Sequence, residues 1–372
     1  MIKQIDILNF KSLSDFQIPC TNLNLFTGTN GAGKSSALQS MLLLRQSYLS
    51  RYFYDDDDTI FLGDEQSLVN LGTYKDVFYS KAKKNSCIDF GIKFLDGKLN
   101  FQTVKYSSDN KDLNSIIGKL TTGIKDLKGI SLFNDNFQYL AAERISPKED
   151  YPRFKSNETS LGKDGSFTAH FLEKFGNKDV QIEAFATFAE IRSLALIDHV
   201  NFWMGRISEN IQVQTKENLA TNRVELFFRY INQDGVPGQD FKPSNVGFGI
   251  THTLPIVVAI LAAKTGDLLV IENPETHLHP AGQSKLAQLF SIAAANNIQL
   301  MIETHSDHIV NGIRVAIKKQ IIDNMAITIN YFSKNSLNDT QLEQIYLDDD
   351  GGLSAWPNGF FDEWDKLLND LL

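Results

Sequence analysis

The sequence lacks the features that mark several classes of protein. Its two cysteines, Cys20 and Cys87, give no disulfide framework and suit a reducing compartment. The longest apolar stretch, residues 253–263, is too short to span a bilayer, and the N-terminal residues lack the regions of a signal peptide. The formal net charge of −9 argues against coating of nucleic acid by bulk electrostatics, although a local basic face would still fit. We therefore expect a cytoplasmic protein without a membrane segment.

Length and pattern indicate an α/β protein with more than one lobe. The 372 residues exceed one average domain, and the 42% hydrophobic and 22% charged content is typical of globular chains. Residues 105–129 are polar and weakly patterned, which fits a mobile arm. From residue 247 onward, apolar strands at 268–272, 298–303 and 326–332 alternate with helical segments. That alternation predicts a parallel sheet covered by helices on both faces.

The strongest motif is GTNGAGKSS, residues 28–36, which fits the pattern G-x-x-x-x-G-K-[ST] without a mismatch. Its glycines let backbone N–H groups close around phosphate oxygens, and the helix N-terminus that follows favours negative charge. Lys34 would then reach the β- and γ-phosphates, and Ser35 would ligate Mg²⁺. The motif predicts binding of a nucleoside triphosphate; a glycine-rich turn that binds nothing is the alternative. The predicted binding residues are Asn30, Gly31, Ala32, Gly33, Lys34, Ser35 and Ser36.

A buried run that ends in Glu272 supplies the acidic residue that such a loop needs on a neighbouring strand to hold Mg²⁺. It lies much further along the chain from Lys34 than a compact nucleotide domain requires. The stretch between them is therefore interpreted as an insertion between two halves of one core. We place the core halves at 1–75 and 241–353, the insertion at 76–240 and a C-terminal tail at 354–372.

Several segments resemble the ABC-type ATPases of the OLD (overcoming lysogenization defect) family. VIENPETHLHPAGQ (270–283) and ETHSDHIVNGIR (303–314) are similar to its Walker B/D-loop and switch-histidine segments. SNVGFGITHTLPIV (244–257) is similar to its signature motif, and SAWPNGFFDEWDKL (354–367) to a small C-terminal domain of unknown role. The resemblance covers about residues 1–75 and 240–372, and it is closest to small stand-alone members of bacterial anti-phage systems. It implies an ABC-type P-loop fold, with a mixed sheet covered by helices and a large α+β insertion before the signature motif.

The resemblance also implies a site shared between two copies of the chain. In ABC-type enzymes the signature segment of one subunit caps the nucleotide held by the P-loop of another. ATP-dependent formation of a homodimer or a higher homo-oligomer follows as an expectation. Small residues at a helix N-terminus would let N–H groups approach the γ-phosphate, although a turn that only caps the following helix fits the segment locally as well. The signature residues that this assigns to ATP are Ser244, Gly247 and Gly249.

One departure from the family pattern concerns hydrolysis. The position after Glu272 usually carries the glutamate that polarises the attacking water, but here it is Asn273. An amide cannot take up a proton, so slow turnover is predicted, with Glu275 as the substitute. His305 resembles the switch histidine that contacts the γ-phosphate. The predicted catalytic residues are thus Glu272, Glu275 and His305, and the predicted Mg²⁺ ligands are Ser35 and Glu272.

Histidine spacing and a single arginine leave alternatives open. The H-x-H and H-x-x-H spacings would also suit zinc, but no cysteine assists and the nucleotide motifs already account for these segments. The histidines concerned are His277, His279, His305 and His308. Arg144 follows an apolar run and would contact a phosphate or a partner, or form a surface salt bridge.

Three functions compete on this sequence. The favoured one is an ATP-switched sensor or scaffold in anti-phage defence, acting with a separately encoded effector, in particular a nuclease. No Toprim nuclease domain is expected, because the chain after His305 is too short for one. The second is a RecF-like repair ATPase that binds DNA through lysines, and the third an OLD-like nuclease whose catalytic acids lie unrecognised in the middle region. The lysines considered for DNA are Lys81, Lys83, Lys84, Lys119, Lys125 and Lys128.

Overall fold

The computed structural model describes residues 1–371 apart from 54–57, 84–85, 96, 104–112, 125, 155–159 and 233, and only the backbone of 103 and 363–366. Lys84 and Lys125 lie outside the described residues. The chain divides into two compact units of discontinuous sequence. The first comprises Met1–Asn134, Ile327–Tyr346 and Leu353–Leu372, and the second Asp135–Ala326 and Leu347–Gly352.

The strands in chain order are β1 (Ile2–Phe10), β2 (Leu13–Pro19), β3 (Leu23–Gly28), β4 (Asp58–Phe61), β5 (Asp89–Phe94), β6 (Gly97–Thr103), β7 (Ser115–Thr122), β8 (Phe137–Leu140), β9 (Asp150–Tyr151), β10 (Ile211–Asn218), β11 (Arg223–Tyr230), β12 (Leu268–Glu272), β13 (Gln299–Glu303), β14 (Ile327–Lys334) and β15 (Thr340–Ile345). The helices are α1 (Lys34–Leu49), α2 (Tyr74–Val77), α3 (Thr168–Phe175), α4 (Glu183–Ala189), α5 (Leu196–Ile207), α6 (Phe248–Ala262), α7 (Pro280–Ala295), α8 (Asp307–Lys318) and α9 (Glu363–Leu371).

The first unit contains two strand arrangements. An antiparallel sheet has the order β2-β1-β5-β6-β7-β4. Separately, β14 pairs in parallel with β3 and antiparallel with β15. Strand β3 is buried along nearly its whole length, as expected of a parallel strand with both faces covered, and Leu23, Leu25 and Phe26 are its apolar residues. Helix α1 follows it and is also almost wholly buried. The segment interpreted as a mobile arm includes β7, a strand hydrogen-bonded on both sides.

The second unit is built around parallel strands and helices. Strand β12 pairs in parallel with β8 on one side and β13 on the other, and β10-β11-β9 form an antiparallel sheet. The apolar strands and intervening helices of this unit confirm the predicted mixed α/β class. The predicted domain bounds stay a prediction. They are drawn from the order of the motifs along the chain, whereas the two units are defined by how compactly their residues pack. Among the described residues, no helix is long and apolar enough to cross a membrane.

Gly312 allows α8 to pack closely on α7, which predicts a sensitive position. A Cβ atom at Gly312 would lie 2.6 Å from the Ala287 Cβ and 3.0 Å from the Ser284 carbonyl oxygen. Gly312→Val should therefore lower the free energy of unfolding by about 1–3 kcal/mol, because the crowding outweighs the gain in helix propensity. Val315, which is 51% exposed on the same helix, provides the control: Val315→Ala should stay within about 0.5 kcal/mol. Circular dichroism during chemical denaturation measures the free energy of unfolding of both variants. Equal denaturation midpoints for Gly312→Val and the wild type would contradict the packing described.

Candidate functional site

The glycine-rich segment forms a loop between β3 and α1 in the first unit. Gly28, Gly31 and Gly33 have φ angles of 132°, 71° and 111°, a region that side-chain-bearing residues rarely adopt. At Gly28 a Cβ atom would also lie 1.8 Å from the carbonyl oxygen of Phe332 on β14. The loop conformation thus requires glycine for two reasons: the positive φ angles, and the close approach of the Gly28 backbone to that of Phe332.

Lys34 extends back across this loop from the first turn of α1. It is 3% exposed, and its Nζ donates to the carbonyl oxygens of Gly28, at 3.0 Å, and Thr29, at 2.9 Å. Gly33, which precedes the helix, has no side chain to cap the first N–H groups of α1, so these groups suit an anion. Ser35 follows Lys34 directly and is half-buried. A buried ammonium, glycine backbone and a helix N-terminus fit the phosphates of a nucleotide.

The other predicted residues of the segment lie at the tip of the loop, at its base and in the first turn of α1. Asn30 and Gly31 are exposed at its tip, whereas Ala32 and Ser36 are buried. Among the described residues, a Cβ atom at Gly31 would approach only Lys334 Nζ, at 4.0 Å. The tip of the loop is therefore open to a ligand, while its base packs into the first unit.

Glu272 lies at the carboxyl end of β12 in the second unit. Its Oε1 accepts a hydrogen bond from the Tyr139 hydroxyl and its Oε2 accepts one from the Ala142 N–H, both at 3.1 Å. Burial raises the pKa of Glu272, while these hydrogen bonds and the charge of Arg144 oppose the rise. Burial and the nearby Glu272 charge raise the pKa of Tyr139, which keeps its hydroxyl a donor. The carboxylate is thus held at the strand end, where the sequence predicts a Mg²⁺ ligand.

Arg144 forms hydrogen bonds to the backbone at the end of β12 and at the start of the turn that follows it. The side chain is 4% exposed and donates to the carbonyl oxygens of Ala141, at 2.9 Å, Glu272, at 2.7 Å, and Asn273, at 2.8 Å. Burial lowers its pKa to about 10, against the opposing charges of Glu275 and Glu272. A surface salt bridge is therefore the wrong interpretation of Arg144, since the residue is buried and bound to backbone. Contact with a phosphate or a partner stays a prediction.

Two residues of the turn after β12 adopt left-handed backbone although neither is glycine. Asn273 has a φ angle of 43° and His277 one of 63°. The Asn273 N–H donates to the Glu303 carbonyl oxygen at 2.8 Å, whereas its buried Oδ1 has no hydrogen-bond partner among the described residues. Such conformations cost energy and persist where the surroundings enforce them, often at functional sites.

Glu275 and His305 come together in the second unit. The Glu275 Oε2 accepts a hydrogen bond from Thr304 Oγ1 at 2.8 Å, and its Oε1 accepts one from the His305 N–H at 2.7 Å. Thr304 is fully buried, whereas His305 is exposed. Two of the predicted catalytic residues are therefore linked through a side chain and a backbone amide.

The signature segment is partly exposed and partly packed. Ser244 and Gly247 are exposed before α6, whereas Gly249 is buried in its first turn. A Cβ atom at Gly249 would lie 2.2 Å from the His277 carbonyl oxygen. Packing on the turn after β12 is thus sufficient reason for glycine at 249, and it does not require a nucleotide. Gly247 has no such packing explanation, because a Cβ atom there would have only Ile250 Cδ1 nearby among the described residues, at 3.9 Å.

The histidines considered for zinc contact different neighbours. His279 caps α7, with its Nδ1 accepting from the Ala281 N–H at 3.3 Å, and His308 Nε2 lies 3.6 Å from Asp307 Oδ1. His277 instead contacts the Phe248 ring, with centroids 4.7 Å apart. Within the described part of the chain, no group of three or more histidine, cysteine or acidic residues is placed to hold a metal ion.

His252 was not predicted to belong to the site, yet it lies on α6 among these groups. It is 5% exposed, and its ring centroid lies 4.9 Å from that of Phe248 and 5.5 Å from that of His277. Burial, followed by the charge of Arg144, lowers the pKa of His252 to about 4. The imidazole is therefore neutral at physiological pH. Only its position in the signature segment could have drawn attention to it in the sequence.

Comparison with known proteins agrees with this geometry. The fold and the P-loop define an ABC-ATPase-like P-loop fold. Residues 23–311 match the family described as an AAA domain, a putative AbiEii toxin of a type IV toxin–antitoxin system, and the chain belongs to that family. Residues 322–371 match a family of proteins of unknown function, DUF3696. No curated protein matches the chain.

Solved structures resemble the chain in fold. An SMC head bound to the C-winged helix domain of ScpA has 13% identity and a TM-score of 0.56, with 93% of this chain and 98% of that chain covered. An SMC head domain from Thermotoga maritima has 12% identity and a TM-score of 0.44, covering 93% and 99% of the two chains. An SMC head with an extended coiled coil from Pyrococcus furiosus, bound to the C-terminal domain of ScpA, has 12% identity and a TM-score of 0.49, covering 100% and 99%. The first of these supports the ABC-type fold.

The lowered pKa of His252 predicts an acid-sensitive fold. The unfolded chain takes up a proton below about pH 6.5 and the folded chain only near pH 4, so stability falls between these values, by up to about 3 kcal/mol. His252→Gln cannot gain that proton and should lose less thermal stability than the wild type between about pH 7 and about pH 4.5. The control is His308→Gln, at a side chain that is 43% exposed, which should follow the wild type. Equal losses in all three proteins would contradict this account.

Proposed function

We propose that the chain binds ATP with Mg²⁺ through residues 28–36 and hydrolyses it slowly. The observation that carries the proposal is the loop between β3 and α1, with the Lys34 ammonium folded back onto carbonyls of glycine-rich backbone. Lys34 would bind the β- and γ-phosphates, and Ser35 with Glu272 would hold the metal ion. Bound Mg²⁺ would neutralise charge that develops on the phosphates. Membership of a family with an AAA domain supports the same conclusion.

Slow hydrolysis follows from the residue after Glu272. Asn273 cannot accept a proton, and its backbone is fixed by Arg144 and Glu303. Glu275 is the next carboxylate along the chain, and it contacts the backbone of His305. His305, exposed beside it, is proposed to sense the γ-phosphate. A long-lived ATP complex suits a switch better than a motor.

A second copy of this chain is the proposed partner at the nucleotide. Ser244 and Gly247 are exposed at the start of α6, where N–H groups could cap a phosphate bound by the P-loop of another copy. This composite arrangement, as a homodimer or a higher homo-oligomer, rests on the resemblance to ABC-type enzymes.

At the level of biology, we propose a sensor or scaffold subunit that controls a separately encoded effector, in particular a nuclease, in bacterial anti-phage defence. The OLD-like motifs support this role. The family description, which refers to a toxin–antitoxin system, is also compatible with a defence function. A RecF-like DNA-binding role is less favoured, because Lys81, one of the candidate lysines, is paired with Asp339. A nuclease with unrecognised acids is the other alternative.

ATP-dependent assembly tests the shared site. In the presence of ATP and Mg²⁺, Glu272→Gln should trap the dimer, because it slows hydrolysis and leaves the P-loop intact. Light scattering should then show a doubled mass that depends on ATP. Lys34→Ala combined with Glu272→Gln is the control and should remain at the mass seen without nucleotide. An unchanged mass of the Glu272→Gln variant with ATP and Mg²⁺ would count against a composite site.

A further inference from the structure

The carboxylate of Glu275 joins two segments of the second unit that are far apart in sequence. We call residues 273–279 the D-loop turn and residues 303–309 the switch segment. From the D-loop turn, Glu275 accepts one hydrogen bond from a side chain and one from the backbone of the switch segment, at 2.8 Å and 2.7 Å. The acceptor side of the contact is a single carboxylate, so one substitution can break both bonds.

The donors of these bonds come from the part of the switch segment that leads into α8. Thr304 Oγ1 also accepts from the Ser306 N–H at 3.1 Å, and Ser306 Oγ accepts from the Ile309 N–H at 3.1 Å, capping the helix. The exposed His305 thus stands between two buried residues whose hydroxyls are already engaged. Because Glu275 binds the His305 N–H directly, it helps to fix the backbone from which the imidazole projects.

The same geometry bears on whether Glu275 can act as a base. A general base must offer an oxygen to the water that it deprotonates. Each oxygen of Glu275 already accepts one hydrogen bond from the switch segment, which leaves one acceptor site on each oxygen but directs both oxygens at the switch segment. We propose that Glu275 is a positioning residue that ties the D-loop turn to the switch segment and sets the presentation of His305, in place of a role as the hydrolytic base. The link to ATP rests on the proposed function, whereas the positioning itself does not.

The amide isostere separates the two roles. In Glu275→Gln the side-chain oxygen can still accept from the His305 N–H, and the NH₂ group can donate to the Thr304 hydroxyl, which is able to accept. The amide cannot take up a proton. Glu275→Gln therefore preserves positioning and removes base chemistry, whereas Glu275→Ala removes both.

Hydrogen–deuterium exchange of the full-length protein without nucleotide tests the positioning. Loss of a hydrogen bond to a charged acceptor should make the His305 amide exchange about tenfold faster or more in Glu275→Ala, and within about threefold of wild type in Glu275→Gln. Glu209→Ala, at an exposed carboxylate of the same unit, is the control and should leave this amide unchanged. Unchanged exchange in Glu275→Ala would overturn the proposal, as would equally fast exchange in the Ala and Gln variants. Circular dichroism confirms that each variant is folded.

Steady-state ATP hydrolysis gives the second readout. Glu275→Gln should retain a kcat at least about tenfold above that of Glu275→Ala, because positioning accounts for the difference. A kcat equally low in both variants would overturn the proposal and favour a base. If the wild type neither binds nor hydrolyses ATP, the proposed function fails, and the exchange experiment still decides whether Glu275 positions the switch segment.

Discussion

The turn after β12 depends on one buried side chain, that of Arg144. Its guanidinium donates to three backbone carbonyl oxygens: that of Ala141, that of Glu272 at the end of β12, and that of Asn273, which begins the turn in a left-handed conformation. Hydrogen bonds from a charged donor to buried carbonyls are stronger than neutral ones, which offsets the cost of that backbone. Glu272 ends β12 directly before this turn, and Glu275 lies within it. Removing Arg144 would take a charged donor away from all three carbonyl oxygens, while the Asn273 oxygen would keep its bonds from the Thr276 hydroxyl, at 2.9 Å, and the Thr276 N–H, at 3.3 Å.

The two acids are held by different neighbours. Glu272 is bound by Tyr139 and Ala142, from the segment around β8, and Glu275 by Thr304 and His305, after β13. Glu272, the candidate metal ligand, is thus held directly before this turn, and His305, the proposed sensor of the γ-phosphate, is bonded to Glu275 within it. A small movement of the turn would therefore shift both Glu272 and His305. A nucleotide-dependent switch requires coupling of this kind.

Part of this arrangement could be predicted from the sequence. The P-loop, the strands that end in Glu272 and Glu303, and the mixed α/β class follow from glycine spacing and from runs of apolar residues, which are local signals. The role of Arg144 could not be predicted, because its partners are backbone carbonyls and two of them, those of Glu272 and Asn273, lie far away in the chain. The close approach of Gly249 to His277 was missed for the same reason. Strand β7 was not predicted, because its sequence does not alternate clearly between polar and apolar residues. Its hydrogen bonds to β4 and β6 make it a strand in the structure.

The central claim is that residues 28–36 bind ATP, and equilibrium binding measures it most directly. Isothermal titration calorimetry with Mg²⁺–ATP should show binding to the wild type. Lys34→Ala should weaken it at least about tenfold, since a charge-assisted contact to phosphate is lost, without changing the melting temperature by more than a few degrees. Equal affinity in the two proteins, or no binding by the folded wild type, would contradict the account.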